Sequence, residues 1–129
     1  MSPWREKALL LEHPTIYRLL ESRFANTERL ECGDGWYDII AELSGKLEAE
    51  ARRVRDDLTV IQVKEKLGAL RIYCRGAVTE AVRDWVASAE CHSMRTCEFC
   101  GSPGTLRKGA GRMRTLCAPC AVAVGYLCD

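Results

Sequence analysis

No stretch of this chain is long and apolar enough to cross a bilayer. Its most apolar early run, Ala8-Leu9-Leu10-Leu11, stops at Glu12 and His13. After Met1-Ser2-Pro3-Trp4-Arg5-Glu6-Lys7, that run is also too short for a secretory leader. The expected setting is the cytoplasm, with no membrane partner. Net charge is missing as well: 19 Lys and Arg against 18 Asp and Glu leave a formal +1, which by itself points to no polyanionic partner. The chain carries no internal repeat and no low-complexity tract, so solenoids and disordered tails are not expected. Its 129 residues suffice for one core and a small appendage.

Cysteine, by contrast, is plentiful, with eight in the chain. Cys32, Cys74, Cys91 and Cys128 are scattered singly, and without an export signal they do not suggest a disulfide scaffold. The other four are ordered. Cys97-Glu98-Phe99-Cys100 is answered by Cys117-Ala118-Pro119-Cys120, two C-x-x-C pairs at the spacing of a four-thiolate zinc site. Two residues between cysteines let the backbone turn tightly and aim both sulfurs at one ion. Between the pairs, Thr105-Leu106-Arg107 and Arg112-Met113-Arg114-Thr115-Leu116 read as short strands around Lys108-Gly109-Ala110-Gly111, the pattern of a zinc ribbon. Four protein thiolates leave no open coordination position, so the expected Zn2+ is structural. The rival use, dithiol redox work at Cys117-Ala118-Pro119-Cys120, calls for a strand before the motif and a long helix after it, and a second cysteine pair stands there instead.

The ribbon segment carries Arg95, Arg107, Lys108, Arg112 and Arg114 against one carboxylate, Glu98. Part of this charge compensates a dianionic zinc-thiolate centre. The rest can contact phosphate at the hairpin tip or an acidic protein surface, and exposed aromatics for base stacking are lacking there.

The body reads in order. Ser2-Pro3 starts a helix with Trp4, Ala8 and Leu11 on one face, and Pro14, Ile16, Leu19, Leu20 and Phe24 mark a second helix ending near Asn26. A loop runs from Asn26 to Gly35, with Asp34 placed to cap the next helix. Trp36, Ile40, Leu43, Leu47, Ala51 and Val54 form the most regular stripe in the sequence, a long helix whose Glu42, Lys46, Glu48, Glu50, Arg52 and Arg53 lie off that stripe. Leu58 to Lys64 and Ala69 to Arg75 are rich in β-branched residues and flank the turn Glu65-Lys66-Leu67-Gly68, which predicts an antiparallel hairpin. On it, Gln62, Lys64 and Lys66 share a face that is either solvated or a contact surface. Val78, Ala81, Val82, Trp85, Val86 and Ala89 predict a further helix to about Cys91, joined to the first cysteine turn without a flexible linker. A short helix is expected after Cys117, before a tail with Val122, Val124 and Tyr126.

The blocks Gly35-Trp36-Tyr37-Asp38-Ile39-Ile40, Gln62-Val63-Lys64-Glu65-Lys66-Leu67-Gly68 with Leu70-Arg71-Ile72-Tyr73, Thr96-Cys97-Glu98-Phe99-Cys100-Gly101 and Arg114-Thr115-Leu116-Cys117 resemble a family of small phage and prophage proteins. The resemblance covers roughly Cys32 to Cys120. In that family the last metal ligand is often His and the turn often has paired glycines, where this chain has Cys120 and Gly68-Ala69. The resemblance implies a phage context, in which small accessory proteins bind host machinery or defence systems, and it implies no reaction.

Other reactive side chains have ordinary explanations. His92 reads as a cap at a helix end, His13 as structural, Cys74 as a small buried hydrophobe, and Trp36 and Trp85 as core. Asp34, Asp38 and Glu42 suit a helix start. The expectation is thus an α+β protein: helices packed on a β-hairpin in a body spanning 1–95, with a four-Cys zinc ribbon at 96–129. Its expected role is non-enzymatic. The partner is a host protein, as for an inhibitor of a bacterial defence system of the anti-CRISPR kind; nucleic acid bound by the ribbon is the alternative, and a homodimer is compatible with either.

Overall fold

The computed structural model describes residues 1–21, 28–109 and 111–126. The chain is mixed helix and strand. Helix α1, Pro3–Glu12, has proline in its first turn, where the missing N–H is no loss. Its inward face is Glu6, Leu9 and Leu10, whereas Trp4 and Leu11 are 67% and 65% exposed. The expected stripe of Trp4, Ala8 and Leu11 is therefore corrected by about half a turn. The cause is Glu6, whose carboxylate turns inward to accept the N–H groups of Arg29 and Leu30 at 2.9 and 2.8 Å.

The second helix begins later than the sequence suggests. Residues Pro14 to Tyr17 form a turn, and among the described residues α2 is helical over Arg18–Glu21; Ile16 and Leu20 are buried and Leu19 is exposed. The remainder of that expectation, Phe24 and Asn26, lies outside the described residues. The expected loop after it contains a strand, β1, Leu30–Glu31, preceding a single 3-10 turn at Asp34–Trp36. Asp34 caps no helix; its Oδ1 accepts the Ser2 N–H at 2.7 Å.

Helix α3, Tyr37–Arg53, buries Ile39, Ile40, Leu43, Leu47 and Ala51, as the periodicity requires. It also buries Glu48 and Glu50, which the sequence pattern puts off the apolar stripe. Glu48 accepts the N–H groups of Thr15 and Ile16 at 3.1 and 3.0 Å, closing the turn before α2. Glu50 takes a two-pronged bond from Arg53 and a further one from the Thr79 hydroxyl, and the Arg53 guanidinium holds its carboxyl below the usual range.

Strands β2, Leu58–Lys66, and β3, Ala69–Gly76, pair antiparallel through the turn Leu67-Gly68, and β1 adds in parallel on the other side of β2. Ile61 is the extra residue of a bulge between Val60 and Gln62. Leu67 and Gly68 both have positive φ, at 53° and 85°, the twist a two-residue hairpin loop demands. Val60, Val63, Leu70 and Ile72 join Trp36 and the buried residues of α1 and α3 in one core.

Helix α4, Glu80–Ser93, starts on Thr79, whose hydroxyl accepts the Val82 N–H at 3.3 Å. It guards the outer edge of β3: the Leu70 N–H donates to Ser93 Oγ and the Ile72 N–H to Glu90 Oε2. Val82 and Ala89 are buried, while Trp85 is only half-buried against the core.

The C-terminal region comprises the antiparallel pair β4, Thr105–Gly109, and β5, Arg112–Leu116, then α5, Ala118–Ala123. Cys97, Leu116, Cys117 and Ala121 make a second, smaller buried cluster. Val122 and Val124 are exposed, and Cys128 lies outside the described residues. Among the described residues no helix is long and apolar enough to cross a membrane.

Candidate metal centre

Each cysteine pair is positioned by a local turn with its own hydrogen bonds. In the first, the Cys97 N–H donates to the Ser102 carbonyl at 2.7 Å, and the Gly101 N–H returns to the Cys97 carbonyl at 2.9 Å. Gly101 sits at φ 82°, the left-handed conformation that lets the chain double back with little steric cost. In the second, Cys117 immediately precedes α5 with Pro119 in its first turn, and the Ala121 N–H closes onto the Cys117 carbonyl at 3.0 Å.

The two turns face each other. The four sulfurs of Cys97, Cys100, Cys117 and Cys120 all lie within 4.8 Å of one another, and Cys100 and Cys117 are 3.6 Å apart. That separation is far beyond a disulfide bond of about 2.0 Å, and the thiols of all four are free. They lie close enough to hold a metal ion. Cys97 and Cys117 are buried, Cys120 half-buried and Cys100 exposed, so the cluster meets solvent on the Cys100 side. The Ser102 hydroxyl and backbone beside Cys100 push its thiol down to about 6, and hydrogen bonding within the cluster, first to Cys117, pushes Cys120 up to about 12.

Glu98, inside the first pair, ties the cluster to the body. Its Oε1 accepts from Arg114 at 2.7 Å and its Oε2 from the Gly33 N–H at 3.0 Å, while its carbonyl accepts the Gly35 N–H at 2.7 Å. Trp36 adds an indole N–H to the Thr96 carbonyl at 2.9 Å. The approach is backbone to backbone: a Cβ on Gly33 would overlap the Glu98 carbonyl, and one on Gly35 the Cys97 carbonyl. From the hairpin side, the Thr115 hydroxyl donates to the Gly68 carbonyl at 2.6 Å.

The five basic residues marked in the sequence have different fates. Arg114 pairs with Glu98 and its guanidinium lies 5.2 Å over the Phe99 ring. Arg112 pairs with Glu65 at 2.9 Å, and Arg107 donates Nε to the Leu116 carbonyl at 2.9 Å. Arg95 and Lys108 project into solvent.

Cys32 is buried, Cys74 half-buried on β3 and Cys91 exposed on α4; none joins the metal cluster, which is the one such group of ligands among the described residues. His13 is buried with Nδ1 2.9 Å from the Leu9 carbonyl, a structural role, and His92 is exposed near the end of α4. From sequence, Glu98 stands only as a counter-charge, and Gly33 and Gly35 only as loop formers. The available signal is the run Gly33-Asp34-Gly35-Trp36 itself, since two glycines flanking one residue before a buried tryptophan suit a close backbone approach.

No family model matches the chain, and no curated protein or solved structure matches it.

Proposed function

We propose that this is a non-enzymatic, zinc-stapled binding protein, with Cys97, Cys100, Cys117 and Cys120 holding one structural Zn2+ in a zinc ribbon. The observation that carries the metal assignment is the convergence of four free sulfurs within 4.8 Å from two C-x-x-C turns. Zn–S bonds of about 2.3 Å in a tetrahedron separate sulfurs by roughly 3.8 Å, close to the Cys100–Cys117 distance. An all-thiolate set favours zinc or iron–sulfur over harder cations. Four ligands complete the tetrahedron and leave no site for a water nucleophile, so the metal contributes folding energy rather than hydrolysis.

The partner in this reading is a host protein, and the resemblance to small phage and prophage proteins supports its more specific form, an accessory factor acting against a defence system. The contact surface favoured by the geometry is the hairpin tip. Leu67 is 66% exposed in a strained left-handed conformation, and beside it the exposed Leu106 packs over Gly68. The ribbon hairpin is a poorer nucleic-acid surface than its sequence suggests, because Arg107, Arg112 and Arg114 are committed to internal bonds.

Two measurements test the proposal. Elemental analysis of the reduced protein is expected to give one zinc per chain, lost in Cys117→Ser; a metal-free folded protein overturns the site. Affinity capture from nuclease-treated bacterial lysate is expected to retain a discrete protein that Leu67→Asp releases. Capture of nothing, or of a partner indifferent to Leu67→Asp, overturns the contact surface.

A further inference from the structure

The solvent side of the three-stranded sheet is a cationic face with an aromatic ring in its middle. Side chains alternate along a strand, and the β2–β3 register puts Gln62 opposite Tyr73 and Lys64 opposite Arg71, with Lys66 diagonal to Arg71. Val63, Leu70 and Ile72 point the other way, into the core. Arg75 lies two residues beyond Tyr73 on the same side of β3. Tyr73 is 39% exposed, and Lys64 Nζ lies over its ring, 5.8 Å from the centroid.

Two features of this face call for an anion. Lys64 sits directly across from Arg71, a like-charge cross-strand pair that costs stability in the free protein. Among the described residues, no ion pair engages Lys64, Lys66, Arg71 or Arg75, in contrast to Arg112 and Arg114 nearby. The carboxylate alongside is Glu31, which pairs in register with Lys64 at the rim. Beyond Lys64 the surface falls into a groove of about 620 Å3 that holds Glu28, Glu31 and the ion pairs Glu65–Arg112 and Glu98–Arg114, so the cationic track ends there. It runs from Arg75 past Tyr73 to Lys64 and Lys66.

We propose that this sheet face binds single-stranded nucleic acid, with one base stacked on Tyr73 and the backbone phosphates held by Lys64, Lys66, Arg71 and Arg75. The charge selects a polyanion, and the flat aromatic platform selects an unpaired base over a duplex. In this arrangement Lys64 leaves the Tyr73 ring to a base and turns to a phosphate. The surface is separate from the leucines of the hairpin tip and does not depend on the protein-binding reading.

The test is fluorescence anisotropy of the zinc-loaded full chain with a labelled thymidine oligonucleotide of about 12 nucleotides, near the site sizes of sheet-based single-strand binders. Tyr73→Ala is expected to weaken binding about tenfold while Tyr73→Phe, which keeps the ring, restores it. Lys66→Glu with Arg75→Glu is expected to weaken binding further and to flatten its dependence on salt, since fewer phosphates are neutralised. Arg95→Glu with Lys108→Glu, on the other hairpin, is expected to leave it unchanged. Four outcomes overturn the proposal: no binding at low salt; equal affinity for a duplex of the same length; indifference to Tyr73→Ala; or displacement of the strand by polyglutamate or anionic vesicles at matched charge, which makes the face a generic polyanion surface.

Discussion

Glu98 and Arg114 form a 2.7 Å ion pair with only 3% and 16% of their side chains exposed, and they come from the first cysteine turn and from β5. Burial raises the Glu98 carboxyl and the Arg114 guanidinium opposes that rise. Neither residue is safely removed alone, because each would leave the other's charge desolvated.

Arg114→Met is therefore expected to destabilise the zinc-loaded protein by about 3–5 kcal/mol, the cost of stranding a buried charge. Glu98→Gln combined with Arg114→Met is expected to lose distinctly less than the two single losses added together. Urea unfolding of the four proteins measures both, and additive losses would show that the pair is not coupled.

Trp36 is fully buried and also serves the Thr96 carbonyl. Trp36→Ala is expected to cost about 3–5 kcal/mol through the cavity it leaves. Trp36→Phe, which keeps most of the volume, is expected to lose roughly 1–3 kcal/mol for the unsatisfied carbonyl. Comparable losses for both would place the energy in the hydrogen bond rather than the packing.

The thiols outside the metal cluster divide by burial. Desolvation pushes Cys32 up to about 12 and Cys74 up to about 11, from an ordinary 9.0. Because the folded values are raised, the stabilising effect of keeping these thiols protonated is complete below pH 9. It is lost as the pH climbs toward 11 for Cys74 and 12 for Cys32. Each thiol then costs about 1.4 kcal/mol per pH unit. Urea midpoints at pH 8 and pH 10 are expected to differ more for the native protein than for Cys32→Ala/Cys74→Ala. At pH 8, mass spectrometry after brief alkylation is expected to find Cys91 modified and Cys32 and Cys74 intact.

At the hairpin tip, Leu67 occupies a left-handed position that suits glycine or asparagine. Leu67→Asn is expected to stabilise the fold by about 1 kcal/mol and, on the contact surface proposed above, to weaken capture of a partner. A thermal midpoint that falls instead would mean the leucine side chain packs more than its exposure indicates.

The parts of the fold that announce themselves in the sequence are those built from neighbours along the chain. The stripe from Trp36 to Val54 gives α3, the β-branched runs around Leu67-Gly68 give β2 and β3, and the cysteine spacing gives the group of four sulfurs close enough to hold a metal ion. The inward turns of Glu6, Glu48 and Glu98 are hidden for a common reason. Each carboxylate is drawn inward by backbone N–H groups of a segment far away in sequence, and no local pattern encodes such a partner. Strand β1 is equally hidden, since two residues carry no period and their pairing depends on Val63 and Lys64. The stripe expected for α1 misplaces its inner face because apolar spacing says nothing about which residue supplies caps to a neighbour.

The contact of Gly33 and Gly35 with the cysteine turn has a further consequence, in the timing of synthesis. The Gly33 N–H awaits a carboxylate 65 residues downstream and the Trp36 indole a carbonyl 60 residues downstream. A nascent chain that has reached only the hairpin holds α3 and its strands, yet its central tryptophan lacks a partner and its glycine loop has nothing to lie against. Closure of so long a loop comes late and slowly. Until the second cysteine pair has left the ribosome, the N-terminal elements are exposed to proteases and chaperones, and maturation of the whole molecule waits on its final quarter.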